Sequence, residues 1–529
     1  MPPTILLEHP QIYLDSRGEA TDALFVDAGR VRATGQDARQ LAGPETRRIR
    51  PDGACVFPAL ADAHIHLWGI GQRLGTISLR GARHPEEVYR RLAGADPADT
   101  PHGWVLARDW DQNLWPLGET LSRERLDQLF PNVPVALIRI DNHAMWVNSE
   151  ALRRAGLHEA SEVGPDGELG RDASGRLTGH LLEGAKKPVW AAVPDVSEEE
   201  DEALFRQNAR ALRAFGVATG HMAYMQPRRI AMLERMATEG PLPQRCYCMI
   251  DAQAPELEVV LERGPRHDDA AMYSVRAIKF FADGALGSLG ALMLDPYRDG
   301  SYGLAIADHL ELTERIPRLL ERGWQVAVHA IGDAGARNVL DAFAASTEAA
   351  RRATRPRLEH AQTVHPEDMA RFGELGVLAS VQPIHMYSDS VWAHRVLHPE
   401  QLERLFSWRD LLEVTHAPCG SDFPIEDPNP WHGIATAVTR ANAAGGIFRP
   451  EQAMSRHEAL AGYLDVAAWA AHWEGALGVL HPGACFEAIA LPHDPFACAV
   501  EELWSMQPTA GYGAVMGLDS SRHVVTPTQ

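Results

Sequence analysis

Phe57-Pro58-Ala59-Leu60-Ala61-Asp62-Ala63-His64-Ile65-His66-Leu67 is the stretch on which the reading of this chain turns. Its apolar character predicts a buried strand over Val56–His66, ending in two histidines separated by one residue. Successive side chains on a strand alternate faces, so His64 and His66 point the same way and can offer imidazole nitrogens to one metal ion. Such a pair arises by chance in 529 residues containing 24 histidines. The inference therefore depends on what the other strands carry at their ends.

Outward from this stretch, short β-branched runs alternate with polar loops and segments of helical period. They are placed at Gly216–Met225, Arg245–Asp251, Val275–Asp283, Trp324–Ile331, Arg357–Gln362, Val377–Pro383 and Val414–Asp422. With the first run they number eight, and the alternation predicts an α/β fold, a closed (β/α)8 barrel. His329, His360 and Asp422 fall at the carboxyl ends of three of these runs, and Lys279 and Asp283 share a fourth. Barrel active sites are assembled at that end from several strands. Any one of these residues could be a satisfied core group or a loop anchor. Their recurrence on strands 1, 4, 5, 6 and 8 argues for one site.

About 150 residues separate the first run from the second, far beyond an ordinary connection, and predict an insertion over 75–196 with its own strand at Val133–Asp141. Its Trp104, Trp110, Trp115 and Trp146 form an apolar wall, mostly its own core; Trp68, Trp110 and Trp115 are the candidates to meet a hydrophobic substrate. Ala23–Gly35, with a turn at Gly29-Arg30, and Phe486–Leu491 read as strands outside the barrel. The expected units are thus a piece formed by the two chain ends, 1–54 and 480–529, the barrel from 55–74 and 197–479, and the insertion.

Lys and Arg number 50 against 71 Asp and Glu, a formal charge of −21. With no run of five basic residues, nucleic acid and anionic membranes are excluded as natural partners. Met1–Gln11 lacks the pattern of a secretion signal, and nowhere do about 18 apolar residues run without charge. A cytoplasmic chain acting on a small molecule is the expectation, with assembly, a homodimer included, left open. The six cysteines, at 55, 246, 248, 419, 485 and 498, are too scattered for a disulfide framework. Cys246 and Cys248 share a strand face and read as buried thiols rather than a metal pair.

The opening stretch, together with Phe281-Ala282-Asp283-Gly284-Ala285-Leu286-Gly287-Ser288, His329-Ala330-Ile331-Gly332-Asp333, Glu359-His360-Ala361-Gln362, Ser380-Val381-Gln382-Pro383 and Gly420-Ser421-Asp422-Phe423-Pro424, resembles the amidohydrolase superfamily, in its YtcJ-like (amidohydrolase 3) branch. The resemblance covers nearly the whole chain. It implies a barrel with a β-sandwich built from both chain ends and one or two divalent ions, with zinc the first expectation from the donor set. By similarity His64, His66 and Asp422 hold one ion and His329 and His360 a second. Lys279 stands where the superfamily carries a carboxylated lysine bridging two ions, with Glu183 the rival bridging carboxylate.

The implied reaction is hydrolysis of a linear, non-peptide amide or related C–N bond, such as an N-substituted formamide or acylated amine, by a metal-bound hydroxide. Asp422 would act as base and acid, and His143 or His221 would stabilise the oxyanion. The alternatives are an esterase, lactonase or phosphoesterase on the same centre, and a non-catalytic binding protein. The chain departs from the branch at Ala59, Met222, Leu289-Gly290 and Glu487, none of them an implied ligand.

Overall fold

The computed structural model describes residues 4–68, 77–95, 103–116, 118–267 and 272–518. The expected start of the insertion at Gly75 and the chain beyond Leu518 lie outside them. Seven parallel strands pair in sequence order into a curved sheet: β1 Leu60–Ile65, β2 Val217–Met225, β3 Arg245–Asp251, β4 Tyr273–Phe281, β5 Gln325–Ala330, β6 Arg357–His360 and β7 Leu378–Ser380. Helices such as Glu198–Ala214, His309–Glu321 and Asp333–Ala344 connect them. Strands covered on both faces read as continuous apolar runs, and β3 and β5 are buried along their whole length.

The eighth expected strand, Val414–Asp422, is corrected by the structure. Trp408–Val414 is a helix, and the residues after it are not a regular strand. Pro418 has no N–H to give a ladder and Asp422 takes a left-handed φ of 56°, so the segment cannot keep strand pairing. It still joins both sheet edges. Val381 N donates to Pro418 O and Gly420 N to Val381 O on the β7 side, while Ala63 N donates to Cys419 O and Asp422 N to His64 O on the β1 side. Asp62 fastens this seam by accepting from His64 N, Ser421 N and the Ser421 hydroxyl.

The seam leaves no room at Gly420, where a Cβ would fall 2.4 Å from the backbone nitrogen of His64. Gly420→Ala is expected to push β1 outward and cost about 1–3 kcal/mol, as overpacking of a close contact does. The check is a lowered thermal midpoint together with weakened metal retention.

The first expected strand, Val56–His66, is two strands. Cys55–Pro58 pairs with Glu487–Leu491 and Ile5–Tyr13, and the chain crosses to β1 at Ala59, whose N–H bonds to Glu487 O. Residues 55–58 therefore pair with the terminal strands and not with the barrel to which they were assigned. Both chain ends meet in one eight-stranded sheet, which also holds the hairpin Ala20–Asp27 and Arg30–Thr34. The insertion builds a six-stranded sheet of its own, with Val135–Arg139, Ala144–Val147 and Leu177–Glu183 near its centre. No helix among the described residues is long and apolar enough to cross a membrane.

Candidate metal centre and its cavity

A cavity of about 900 Å³ opens at the carboxyl ends of the barrel strands and runs under the insertion. Its floor carries His64 and His66 from the end of β1, His329 from β5, His360 from β6, and Asp422 from the closing segment. His385 joins them from the helix Pro383–Asp389 that follows β7. His360 and Asp422 both hold positive φ, 76° and 56°, a strained backbone of the kind found where side chains must be aimed at one point.

Two donor groups share one carboxylate. His64, His66 and Asp422 have ligand atoms within 4.8 Å of one another, and so have His360, His385 and Asp422. Asp422 Oδ1 lies 3.1 Å from His66 Nε2 and 3.4 Å from His64 Nε2, while its Oδ2 is 3.5 Å from His385 Nε2. His329 lies beside them, its ring 4.4 Å from that of His360, but its Nε2 turns to Gly284 O at 3.2 Å. The sequence reading missed His385, which stands on a helix rather than at a strand end. The signal was its position two residues beyond the Gln382-Pro383 that closes the seventh run.

Beneath the donors lies a buried ion pair. Glu359 Oε1 is 2.7 Å from Arg357 Nε, both side chains being wholly inaccessible, and Glu359 Oε2 receives His64 Nδ1 at 2.5 Å. Burial alone would raise Glu359, but Arg357 and His64 hold it well below the usual carboxylate range. Burial pulls His64 down to about 4, so its ring is neutral near pH 7. With the proton on Nδ1 facing Glu359, the Nε2 lone pair faces the Asp422 carboxylate. Two electron-rich atoms at that separation call for a cation between them, and a carboxylate behind a histidine is the usual support for a metal ligand.

The fit extends to the second group. His360 Nδ1 and His385 Nε2 are buried and have no hydrogen-bond partner among the described residues, a costly state that a metal ion would relieve. Burial holds His360 well below its ordinary value, in the neutral form that binds metal. For Asp422, burial raises the carboxyl, but His64, His66 and His385 pull it well below the carboxylate range. The donor set of imidazoles and one carboxylate suits a divalent transition ion. His385→Ala is expected to weaken metal retention at least about tenfold, read by elemental analysis after dialysis against a weak chelator.

The remaining expected site residues divide. Lys279 is buried below the floor with no hydrogen-bond partner for Nζ among the described residues, and burial draws it down to about 8. His221 does not line the cavity: it is fully buried and its Nδ1 meets Arg357 Nη1 at 3.0 Å. His143 does line it, and Glu183 sits on His143 Nδ1 at 2.9 and 3.0 Å. Asp283 anchors loops, accepting from the backbone of Leu292, Ile331 and Gly332. Trp110 and Trp115 pack in the core of the insertion; the aromatic wall is made by Trp68, Trp190 and Trp392.

A family model described as "Amidohydrolase family" matches residues 52–511. The chain is 30% identical over 496 residues to YtcJ of Bacillus subtilis (strain 168), an amidohydrolase by name, covering 91% of this chain and 92% of that one. It is 26% identical over 528 residues to the N-substituted formamide deformylase of Arthrobacter pascens, covering 94% and 95%. Among solved structures it is similar to an uncharacterized metal-dependent hydrolase from Pyrococcus horikoshii OT3, with a TM-score of 0.76, 25% identity, and 94% of this chain and 99% of that chain covered.

Proposed function

We propose, because the chain belongs to the amidohydrolase family, that it is a metal-dependent hydrolase of a linear, non-peptide amide or related C–N bond, with N-substituted formamides and acylated amines the first substrates to test. The single observation that carries this is the convergence of His64, His66, His360, His385 and Asp422 on the floor of one cavity. His64, His66 and Asp422 would hold one zinc ion, and His360 and His385, with His329 adjoining and Asp422 shared, a second. When bound, the metal supplies Lewis acidity, which lowers the pKa of water to about 7 and polarises the substrate's carbonyl.

The chain's own residues do the rest. Asp422, the carboxylate shared by both donor groups, is the base that takes the proton of the attacking water and returns it to the leaving nitrogen. His143 faces the oxyanion. Trp68, Trp190 and Trp392 exclude water and favour an apolar substituent on the substrate. Burial leaves Lys279 a larger neutral fraction than an exposed lysine has, and the neutral amine is the form that carbon dioxide, with loss of a proton, would carboxylate into an anionic oxygen ligand. The terminal sheet, barrel and insertion are proposed as three units with boundaries near residues 59, 75 and 196.

The test is removal of metal by chelation and reconstitution with single ions, in 13C-bicarbonate, against a panel of formamides, acylated amines, esters and phosphoesters. Activity lost with metal, regained with zinc and highest on the C–N panel supports the reading, as does a 13C carbamate resonance for Lys279. Activity that is confined to esters, or indifferent to chelation, overturns it.

A further inference from the structure

We propose that Glu183 is a positioning residue of the active site, which orients the His143 ring through Nδ1–H and holds no metal itself. This rests on the assignment of His143 to the oxyanion. Both oxygens of Glu183 lie within hydrogen-bond reach of His143 Nδ1, at 2.9 and 3.0 Å. Carboxylate oxygens accept, so Nδ1–H is the donor of this contact and Nε2 is the ring atom left for the cavity, where an N–H on it can donate to the oxyanion. The backbone repeats the pairing: Glu183 N donates to His143 O at 3.0 Å.

The surroundings hold the carboxylate on this partner. Glu183 is buried and ends the strand Leu177–Glu183 with a φ of 46°, a conformation a glutamate adopts only under constraint. Its side chain lies over a seat made by two glycines of the loop after β4. A Cβ at Gly284 would fall 2.1 Å from Glu183 Oε1, and one at Gly290 would fall 2.9 Å away. Gly284 O in turn meets His329 Nε2 at 3.2 Å, so this loop couples the insertion to the barrel floor. The metal-donor groups among the described residues do not include Glu183. A carboxylate committed to His143 and wedged against two glycines acts through the imidazole.

The experiment compares Glu183→Ala and Glu183→Gln in the wild-type and His143→Ala backgrounds, using metal-loaded protein. The readouts are kcat and KM on the best substrate of the panel and metal equivalents per chain. Glu183→Ala is expected to lower kcat about 10- to 100-fold with KM and metal content unchanged. Glu183→Gln, which keeps an acceptor for Nδ1–H, should recover to within about fivefold of wild type. In the His143→Ala background the further loss from Glu183→Ala should vanish, because a residue acting only through another is silent once that partner is gone.

Gly290→Ala, which displaces the carboxylate from behind, is the second route if Glu183→Ala does not fold, and it should show the same loss and the same silence in His143→Ala. Loss of metal in either Glu183 variant, or additivity with His143→Ala, overturns the proposal. So does an unchanged kcat in Glu183→Ala. An inactive wild type that still loads metal would instead count against the proposed reaction.

Discussion

Asp422→Asn is expected to lower kcat by about 10²–10⁴-fold, the range that positioned acid–base groups contribute, or about 3–5 kcal/mol of transition-state stabilisation. Asparagine keeps the shape and one oxygen, so His64, His66 and His385 retain a neutral neighbour, but the group can no longer take a proton from water. The protein should fold, because the Asp422 backbone N–H that bonds to His64 O is unaffected. Metal equivalents measured beside kcat separate the two duties of this residue. A variant with metal bound and turnover gone confirms the proton role, whereas turnover within tenfold of wild type with full metal content would remove Asp422 from the chemistry.

The second large effect is on stability. Arg357→Met is expected to cost about 3–5 kcal/mol, because it strips the partner from a carboxylate that has no access to solvent. Arg357 also donates to Ala63 O and the Ser380 hydroxyl and meets His221, so its loss loosens β1, β2 and β7 together. The thermal midpoint should fall by about 5–10 °C. The pH dependence follows from the sign of the shift. Glu359 sits below its ordinary value of 4.5 in the fold, so its contribution is complete above that value and lost as pH falls through it toward the folded value. Wild type should therefore lose stability below about pH 4.5 more steeply than Arg357→Met. Parallel acid limbs would show that the pair does not hold Glu359 ionised.

How much of this was legible in the sequence varies from residue to residue. Strand β3 matches its expected bounds, Arg245–Asp251, residue for residue, because a parallel strand buried on both faces leaves an unbroken apolar run. The same property misled at Val56–His66: an apolar run records burial, not which sheet buries it, and the passage from the terminal sheet to β1 at Ala59 carries no polar break. The closing segment was located correctly and given the wrong conformation, since Val414 and Thr415 read as strand formers while tertiary packing ends a helix there. His64, His66, His360 and Asp422, singled out because strand ends are where barrels gather chemistry, do meet on the floor of one cavity. His385 and the service of Glu359 behind His64 depend on contacts made across the barrel, which spacing along one chain does not encode.

The seam between Asp62 and Ser421 joins residues 359 positions apart. During synthesis the first barrel strand emerges early, yet its outer edge stays unsatisfied until Ser421 and Asp422 have left the ribosome. The nascent chain must carry an open, apolar sheet edge while those 359 positions are made, the condition under which partly made α/β chains aggregate or need chaperones. His64 and His66 likewise wait for Asp422, so this donor group comes together only after the chain through Asp422 has been made.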